Sequence, residues 1–280
     1  MYPVLFEIGG FTVTSFGLMM FLSFLGGAWI VSLQLQRRGL DPELAWDVLA
    51  WIAIGGVLGA KLYYMGLHWE DLVADPMGEL TSRAGLVWYG GLIGGILAYY
   101  WQVKKRGLPM GVMFDATAPA LGLAYAIGRV GCFLVGDDYG VPTDSAIGVA
   151  FPQGAPPSTA GYFRSIGVAV DPALPDTAVL AVHPTQLYEV AGGLIMFAIL
   201  WRVSGTKRRP GQLFGLFLIL YGIERFLVEF VRAKSDRIIM GLSTSQMASL
   251  LALGAGIWLW QRASRGVSQA RPQRTAPAAR

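Results

Sequence analysis

The residues best suited to chemistry are arginines placed inside apolar stretches of the chain. Arg129, Arg225 and Arg232 each lie within or at the end of a long run of hydrophobic residues. An arginine at the centre of a bilayer costs roughly 2.5–3.5 kcal/mol even on the mildest insertion scale, so each one needs a partner or a polar cavity. The planar guanidinium group matches the oxygens of a phosphate. The pattern therefore favours a phosphate-binding site, to which Lys61 adds positive potential.

Polar residues around Arg225 follow the spacing of a helix. They are Tyr221, Arg225, Glu229 and Arg232. Steps of four, four and three residues place them on one helix face. Two arginines and a single glutamate leave that face positively charged. A structural alternative is that Arg225 pairs with Glu229 and Arg129 with Asp137, which would lock helices together. For the whole set we favour phosphate binding, because a lock does not need so many cations.

Hydrophobic runs long enough to cross a membrane position these residues. Crossing the hydrocarbon core takes about 20 apolar residues. Seven runs approach that length: 14–35, 48–66, 86–103, 112–136, 186–203, 211–231 and 242–260. The composition agrees, since 54% of the residues are hydrophobic and only 14% are charged. We predict an all-α polytopic membrane protein with about seven transmembrane helices.

Basic residues alternate between the loops and predict the orientation of these helices. They follow the first, third and fifth runs as Arg37 and Arg38, then Lys104, Lys105 and Arg106, then Lys207, Arg208 and Arg209. Five more arginines lie after Gln261. By the positive-inside rule these segments are cytoplasmic, which places the N-terminus outside and the C-terminus inside. The ionisable residues of the runs then gather at their outer ends, at the depth of a phospholipid headgroup.

The longest hydrophilic segment, 137–185, is rich in Pro, Gly, Ser and Asp. It is too long for a simple connector and too small for a robust core of its own, so we expect a small extracytoplasmic cap. We expect residues 1–261 to form a single transmembrane domain with this cap as an insertion. The remaining residues, 262–280, are expected to form a basic, disordered cytoplasmic tail.

Glycines recur four positions apart in several runs. The pairs are Gly55 and Gly59, Gly90 and Gly94, Gly91 and Gly95, and Gly211 and Gly215. Such spacing lets helix backbones approach closely in a membrane, and this packing role explains the pairs. The glycine-dense start of the third run also fits access by a ligand.

Four motifs resemble those of the prolipoprotein diacylglyceryl transferase family. They lie in order at 88–94, 128–140, 183–189 and 221–232. The resemblance implies transfer of the diacylglyceryl group of phosphatidylglycerol to a lipobox cysteine thiol, which forms a thioether and releases glycerol phosphate. It implies a multi-pass protein of the bacterial cytoplasmic (inner) membrane whose partners are phosphatidylglycerol, prolipoprotein signal peptides with a lipobox cysteine, and membrane lipids. We expect no cofactor, no metal and no nucleic acid.

The resemblance also implies roles for individual residues. The expected catalytic residues are Arg129, Arg225 and Tyr89. The expected substrate-binding residues are Arg232, Tyr221, Glu229, Asp137, His183, Gly90, Gly91 and Gly140. The arginines would favour a thiolate and stabilise the departing phosphate. His183 precedes a proline at a helix start, so a structural role is the favoured alternative for it. Cys132 is expected to be a small buried hydrophobe.

Four positions depart from the family's usual pattern. Tyr89 stands where the family usually has His, Cys132 where it has Asn, Asp137 where it has Glu, and Phe16 where it has Tyr. An alternative function is therefore a paralogue that uses the same lipid pocket with a different acceptor or without catalysis. A lipid transporter or flippase is less favoured, because such proteins typically have inverted repeats and midplane sites, and the sequence has no visible repeat.

Overall fold

The computed structural model describes residues 3–9, 11–81, 87–206, 208–234, 237–239 and 241–265, and it is mostly helical. A long helix corresponds to each of the predicted runs. These helices are α1 (Ser15–Arg37), α2 (Leu44–Leu67), α5 (Trp88–Lys105), α6 (Met110–Val135), α8 (Thr185–Ser204), α9 (Gln212–Val228) and α10 (Thr244–Arg265). Short helices lie between them at α3 (Trp69–Ala74), α4 (Pro76–Thr81) and α7 (Ala160–Ser165).

Length and apolar composition distinguish some of these helices as membrane-crossing. Over the described ranges, four helices are long and apolar enough to cross a bilayer, namely α1, α2, α6 and α8. Helix α9 has only 17 residues, and α5 ends on Lys104 and Lys105. A mostly helical protein with helices long and apolar enough to cross a membrane is thus confirmed, whereas the count of seven spans stays a prediction.

Short antiparallel strand pairs accompany the helices, which the all-α prediction did not include. They are β1 (Val4–Ile8) with β2 (Phe11–Thr14), β3 (Val149–Ala150) with β4 (Ala181–Val182), and β5 (Arg237–Ile239) with β6 (Leu242–Ser243). Each pair lies outside the long helices, where the backbone polar groups have no helical partner and pair with each other instead.

The chain divides into two compact units, Met1–Val135 and Gly136–Arg280. In the first unit α1 packs against α6 and α2 packs against α5, and in the second unit α9 packs against both α10 and α8. Helix α10 continues into the predicted tail and ends at Arg265. Lys207 and the rest of the tail, 266–280, lie outside the described residues.

Glycines bring α2 and α5 into backbone contact. A Cβ atom added to Gly59 would lie 2.3 Å from the carbonyl oxygen of Gly90 and 2.9 Å from the Cα of Gly94. A Cβ atom on Gly55 would lie 2.7 Å from the carbonyl oxygen of Gly94. No side chain fits at these distances, so the packing role predicted from the glycine spacing is confirmed for this helix pair.

Basic residues gather at one end of each unit. Arg106 follows α5 and pairs with Asp47 in the first turn of α2 at 2.6 Å. Arg38 follows α1 and donates to a backbone carbonyl in the first turns of α6 at 3.4 Å. In the second unit Arg209 precedes α9 and donates to the carbonyl of Ala263, near the end of α10, at 3.2 Å. The helix ends that carry positive charge therefore lie together within each unit.

The cap has a small aromatic core. Rings of Tyr139 and Phe151 stack with centroids 5.3 Å apart, and those of Tyr162 and Phe163 meet edge to face at 5.6 Å. The Ser158 hydroxyl accepts a hydrogen bond from the Phe151 amide at 2.9 Å and donates to a backbone carbonyl just before β4, also at 2.9 Å. Phe151 and Phe163 are fully buried. The cap is therefore more ordered than its Pro- and Gly-rich composition predicts.

Candidate active site

Two arginines of the second unit lie in a network of carboxylates. Arg225, in the last turn of α9, donates to Oε1 of Glu189 and pairs with Oε2 of Glu229, each at 2.9 Å. Arg232 donates to the same Glu189 oxygen at 3.3 Å and also pairs with Asp138. Four of these side chains are at most 10% exposed, whereas that of Asp138 is 40% exposed. The members of this arginine network come from α8, α9, the turn that follows α9, and the start of the cap.

The spacing along α9 predicted a positively charged helix face. The arginine network as a whole is not net positive. Arg225 and Arg232 contact the carboxylates of Glu189, Glu229 and Asp138, so two positive and three negative charges sum to −1. Glu189 belongs to α8, and the periodicity of α9 carries no information about it. The structural alternative of an Arg225–Glu229 pair is confirmed.

Arg232 reaches the network from a turn and not from the helix. The spacing predicts one helix face through Arg232, but α9 ends at Val228 and Glu229 is its C-cap. Arg232 instead forms an antiparallel bridge with Gly140. Its Nε atom still lies 3.9 Å from Glu229. The prediction of a continuous helix face is wrong at its last position, although the predicted neighbours are brought together.

The first turn of α8 holds the start of the cap in place. The hydroxyl of Thr185 donates to the backbone carbonyl of Asp138 at 2.7 Å, and the side-chain amide of Gln186 donates to that of Asp137 at 2.5 Å. Thr185 and Gln186 are fully buried. These two hydrogen bonds therefore fix the backbone of the segment that bears Asp138.

Gly140 lets the cap approach the end of α9. Its amide donates to the carbonyl of His183 at 2.8 Å, and an added Cβ would lie 2.4 Å from the carbonyl oxygen of Val231. His183 in turn has its Nδ1 atom 3.0 Å from the hydroxyl of Tyr188. These contacts agree with a structural role for both Gly140 and His183, and their predicted roles in substrate binding stay predictions.

Tyr139 connects this segment to the aromatic core of the cap. Its phenol donates to the carbonyl of Pro156 at 2.9 Å. Burial raises the pKa of the Tyr139 phenol well above its ordinary value, so the group stays protonated and keeps donating. Burial, and then the charge of Asp138, also raises the pKa of Tyr162. The aromatic core therefore holds Tyr139, the residue that directly follows Asp138.

The start of α10 supplies hydroxyl groups to the network. Ser243 donates to Oε1 of Glu229 at 2.9 Å, and Ser245 accepts from Arg225 at 3.3 Å. Ser243 also exchanges hydrogen bonds with Gln246, whose side chain accepts from its amide at 3.0 Å. Neither serine was expected in the site. The available signal was the capping pattern of a serine followed three residues later by a glutamine.

The predicted residues of the first unit lie at the ends of α2, α5 and α6 away from its basic end. The Arg129 guanidinium lies 5.4 Å from the centre of the Tyr125 ring and 3.7 Å from the sulfur of Cys132. Lys61 lies over a tyrosine ring of its own helix at 5.7 Å. Tyr89 stands in the first turn of α5 and is 64% exposed. Arg129 and Tyr89 thus belong to the same end of this unit.

Other predicted binding residues have packing contacts. A Cβ on Gly90 would lie 2.3 Å from the carbonyl oxygen of Gly59, so Gly90 serves the contact between α2 and α5. Gly91 has more space, with 3.4 Å to the nearest carbonyl oxygen of α2. The Tyr221 ring stacks on that of Phe217 at 5.8 Å. Binding roles for Gly90, Gly91 and Tyr221 stay predictions.

Comparison with known proteins decides which family has this arrangement of motifs. The chain matches the family model described as prolipoprotein diacylglyceryl transferase over residues 3–262. The chain belongs to this family. The resemblance predicted from four short motifs is thereby confirmed over almost the whole length, including the cap and all the long helices up to α10.

Similar curated proteins carry the name phosphatidylglycerol–prolipoprotein diacylglyceryl transferase. The one from Clostridium tetani is 32% identical over 93% of this chain and 97% of its own length. Those from Chromohalobacter salexigens and Gloeobacter violaceus are 31% and 30% identical, over 93% and 94% of this chain and 92% and 94% of their own lengths. The similarity to these family members therefore covers nearly the whole length of both chains.

Proposed function

We propose that this protein transfers the diacylglyceryl group of phosphatidylglycerol to the lipobox cysteine thiol of a prolipoprotein. A bond forms between the thiol sulfur and the glyceryl carbon, the bond from that carbon to the phosphate oxygen breaks, and the thiol proton is released to solvent. Glycerol phosphate leaves. The observation that carries the proposal is family membership over residues 3–262. The buried arginines of the family's motifs supply a chemical reason for it.

The proposed chemistry needs cations near the reacting atoms. A thiol with a pKa of about 8.5 is only a few per cent ionised at pH 7. We assign Arg129 and Arg225 to favouring the thiolate and to stabilising the departing phosphate. We assign the phenol of Tyr89 to hydrogen bonding near the acceptor thiol or the phosphate. The proposed substrate-binding residues are Arg232, Tyr221, Glu229, Asp137, His183, Gly90, Gly91 and Gly140.

We also propose a location in the bacterial inner membrane, with seven spans, the N-terminus outside and the C-terminus in the cytoplasm. Helices α5, α9 and α10 would add three spans to the four that are long and apolar enough by themselves. The alternation of basic residues along the sequence supports this orientation. The gathering of these residues at one end of each unit agrees with it.

The test is whether the purified full-length chain releases glycerol phosphate from phosphatidylglycerol when given a lipobox peptide. The peptide should gain the mass of the diacylglyceryl group. Arg225→Lys keeps the charge but loses the planar fork, and we expect turnover to fall about 100-fold. Arg225→Ala is a poorer choice, because it would remove one partner from each of the buried carboxylates Glu189 and Glu229, and breaking a buried ion pair costs about 3–5 kcal/mol of folding stability.

The matched control is Arg164→Lys. Arg164 pairs with Asp176 in the cap, where both side chains are partly exposed, so the same substitution should leave turnover unchanged. Lys61→Ala should lower phosphatidylglycerol binding only mildly. Normal turnover in both Arg225→Lys and Arg129→Ala would show that these arginines have a structural role and no catalytic one. Binding of phosphatidylglycerol without transfer to the peptide would favour the paralogue with another acceptor.

A further inference from the structure

Asp138 differs from the other members of the arginine network in its exposure. Its side chain is 40% exposed, against 10% for Arg225, 3% for Glu229, 2% for Arg232 and none for Glu189. Asp138 pairs directly with the guanidinium of Arg232. Among the carboxylates of the network, Asp138 is therefore the most accessible to solvent.

The backbone at Asp138 is held by hydrogen bonds, whereas its side chain is partly exposed. Its φ of 58° lies in the left-handed region, which aspartate and asparagine tolerate better than most residues. Hydrogen bonds from Thr185 and Gln186 fix the carbonyls of Asp138 and Asp137. Rotation of the side chain about its first bond would release Arg232 and would leave this backbone where it is.

The other carboxylates of the network are much harder to move. Glu189 lies inside α8 and contacts both arginines. Glu229 is fixed at the end of α9 by Arg225 and by the hydroxyl of Ser243. Displacing either carboxylate from its arginine would leave a buried charge without that partner, which is costly in free energy. Asp138 is therefore the carboxylate that an incoming anion can replace.

Carboxylate and phosphate oxygens accept hydrogen bonds from the same guanidinium N–H groups. We propose that the Asp138 carboxylate occupies the anion-binding position on Arg232 until a substrate phosphate displaces it, and that it returns to expel the phosphate product. The shared chemistry is a phosphate oxyanion on Arg232. Its assignment to the phosphodiester of a lipid headgroup rests on the proposed function.

The charge of the network gives this exchange a direction. A phosphodiester carries one negative charge, so its replacement of one carboxylate leaves the charge at the arginines unchanged. Glycerol phosphate is a monoester whose second pKa is near 6, so it carries close to two negative charges above pH 7. The three carboxylates outweigh the two arginines by one negative charge, so the net repulsion is stronger for the doubly charged product than for the singly charged lipid. The return of Asp138 to Arg232 would therefore favour product release.

A purely structural role for Asp138 makes the opposite prediction. If its carboxylate serves to hold Arg232 in position, removing the charge loosens the guanidinium and weakens the binding of anions. If it competes with anions, removing the charge strengthens their binding. The sign of the change in affinity therefore separates the two roles.

The experiment measures equilibrium binding to the full-length chain in detergent at pH 8, without any acceptor peptide. The probes are a fluorescent phosphatidylglycerol and, as its competitor, soluble glycerol phosphate. We expect Asp138→Asn and Asp138→Gly to bind the lipid about tenfold more tightly, the scale of one partly exposed charge pair. Glycerol phosphate should gain more than the lipid does. The control Asp144→Asn removes the same charge from an exposed position of the cap and should change neither affinity.

Unchanged or weaker binding of both probes in both variants would overturn the proposal. If Asp138→Asn fails to fold, Asp138→Gly decides, because glycine readily adopts a φ of 58°. Tighter binding of glycerol phosphate alone would support the exchange at Arg232 and exclude the lipid as its ligand. Tighter binding in the variants, with no transfer by the protein in the turnover assay, would support the exchange at Arg232 and contradict the proposed function. Normal transfer without tighter binding in the variants would support the proposed function and contradict the exchange.

Discussion

Glu189 contacts Arg225 and Arg232 from the second turn of α8 and is fully buried. Its position means that both guanidinium groups are fixed before any substrate arrives. Donors that are already oriented stabilise a developing anion without further reorganisation, which is the main electrostatic advantage of an enzyme site. The carboxylates of the network thus reduce its net charge and at the same time orient the arginines that the proposed reaction needs.

Tyr89 provides the sharpest test of how protons are handled at the other predicted catalytic position. Its phenol stands where the family usually has a histidine, and Tyr89→Phe removes only the hydroxyl. Loss of a positioned proton-transfer group typically costs about 100-fold or more. We therefore expect turnover with the lipobox peptide to fall by about that factor, with little change in the KM for the lipid. Steady-state kinetics over a range of phosphatidylglycerol concentrations would measure both quantities.

Tyr100→Phe is the matched control for that substitution. Tyr100 lies on the same helix, α5, and is 50% exposed, but it stands near the basic end and close to Lys104. Its hydroxyl should be dispensable. Near-normal turnover in Tyr89→Phe would remove the phenol from the mechanism, place Tyr89 with the aromatic residues of the membrane interface, and leave the arginines as the main source of catalysis.

The residue types of the arginine network could be predicted from the sequence, whereas the contacts among these residues could be predicted only in part. An arginine in an apolar run needs a partner, which singles out Arg225 without any structure. The partner Glu229 follows from helical spacing, but Glu189 does not, because packing of α8 against α9 brings it there. Asp138 was missed as well, since its contact with Arg232 depends on a backbone turn.

Helices follow from hydrophobic length more closely than their connections do. The run 48–66 became Leu44–Leu67, and 186–203 became Thr185–Ser204. The short helix Trp69–Ala74 and the hairpin that begins at Val4 were missed, because a few residues carry too weak a periodic signal. Pro- and Gly-rich segments such as the cap have no period at all, so its aromatic core emerges only from tertiary packing.

The contact between α2 and α5 sets a requirement for glycine that can be tested at one position. In Gly59→Ala the added methyl would meet the Gly90 carbonyl oxygen at 2.3 Å, so the two helices must move apart. Such overpacking costs about 1–3 kcal/mol. We expect the thermal unfolding temperature in detergent to fall by roughly 2–4 °C for each kcal/mol lost.

Gly66→Ala is the control on the same helix. A Cβ atom added to Gly66 has no neighbour within 4 Å, so this variant should keep the unfolding temperature or raise it slightly through the better helix propensity of alanine. Equal unfolding temperatures for Gly59→Ala and Gly66→Ala would show that the close approach at Gly59 is not required for stability.

Both units separate their charges along the helices in the same way. In the first, Arg106 pairs with Asp47 at one end, and Arg129 and Tyr89 belong to the other end. In the second, Arg209 lies at one end, and the arginine network joins the opposite ends of α8, α9 and α10. A bilayer accounts for both, because charged groups are least costly where the helices leave the hydrocarbon.

The orientation across the membrane makes a prediction for the whole molecule. Cys132 is the single cysteine of the chain, so Cys132→Ala gives a background without thiols. In that background we expect Asp144→Cys, in the cap, to react with a membrane-impermeant maleimide added to the outside of intact spheroplasts. Pro109→Cys, in the loop after Lys104, Lys105 and Arg106, should react only after the membrane is permeabilised, because the positive-inside rule keeps this loop in the cytoplasm. Neither substitution removes a basic residue, so the topogenic signal itself is unchanged.

Labelling of Pro109→Cys from outside would contradict the orientation, and with it the placement of the arginine network in the outer half of the membrane.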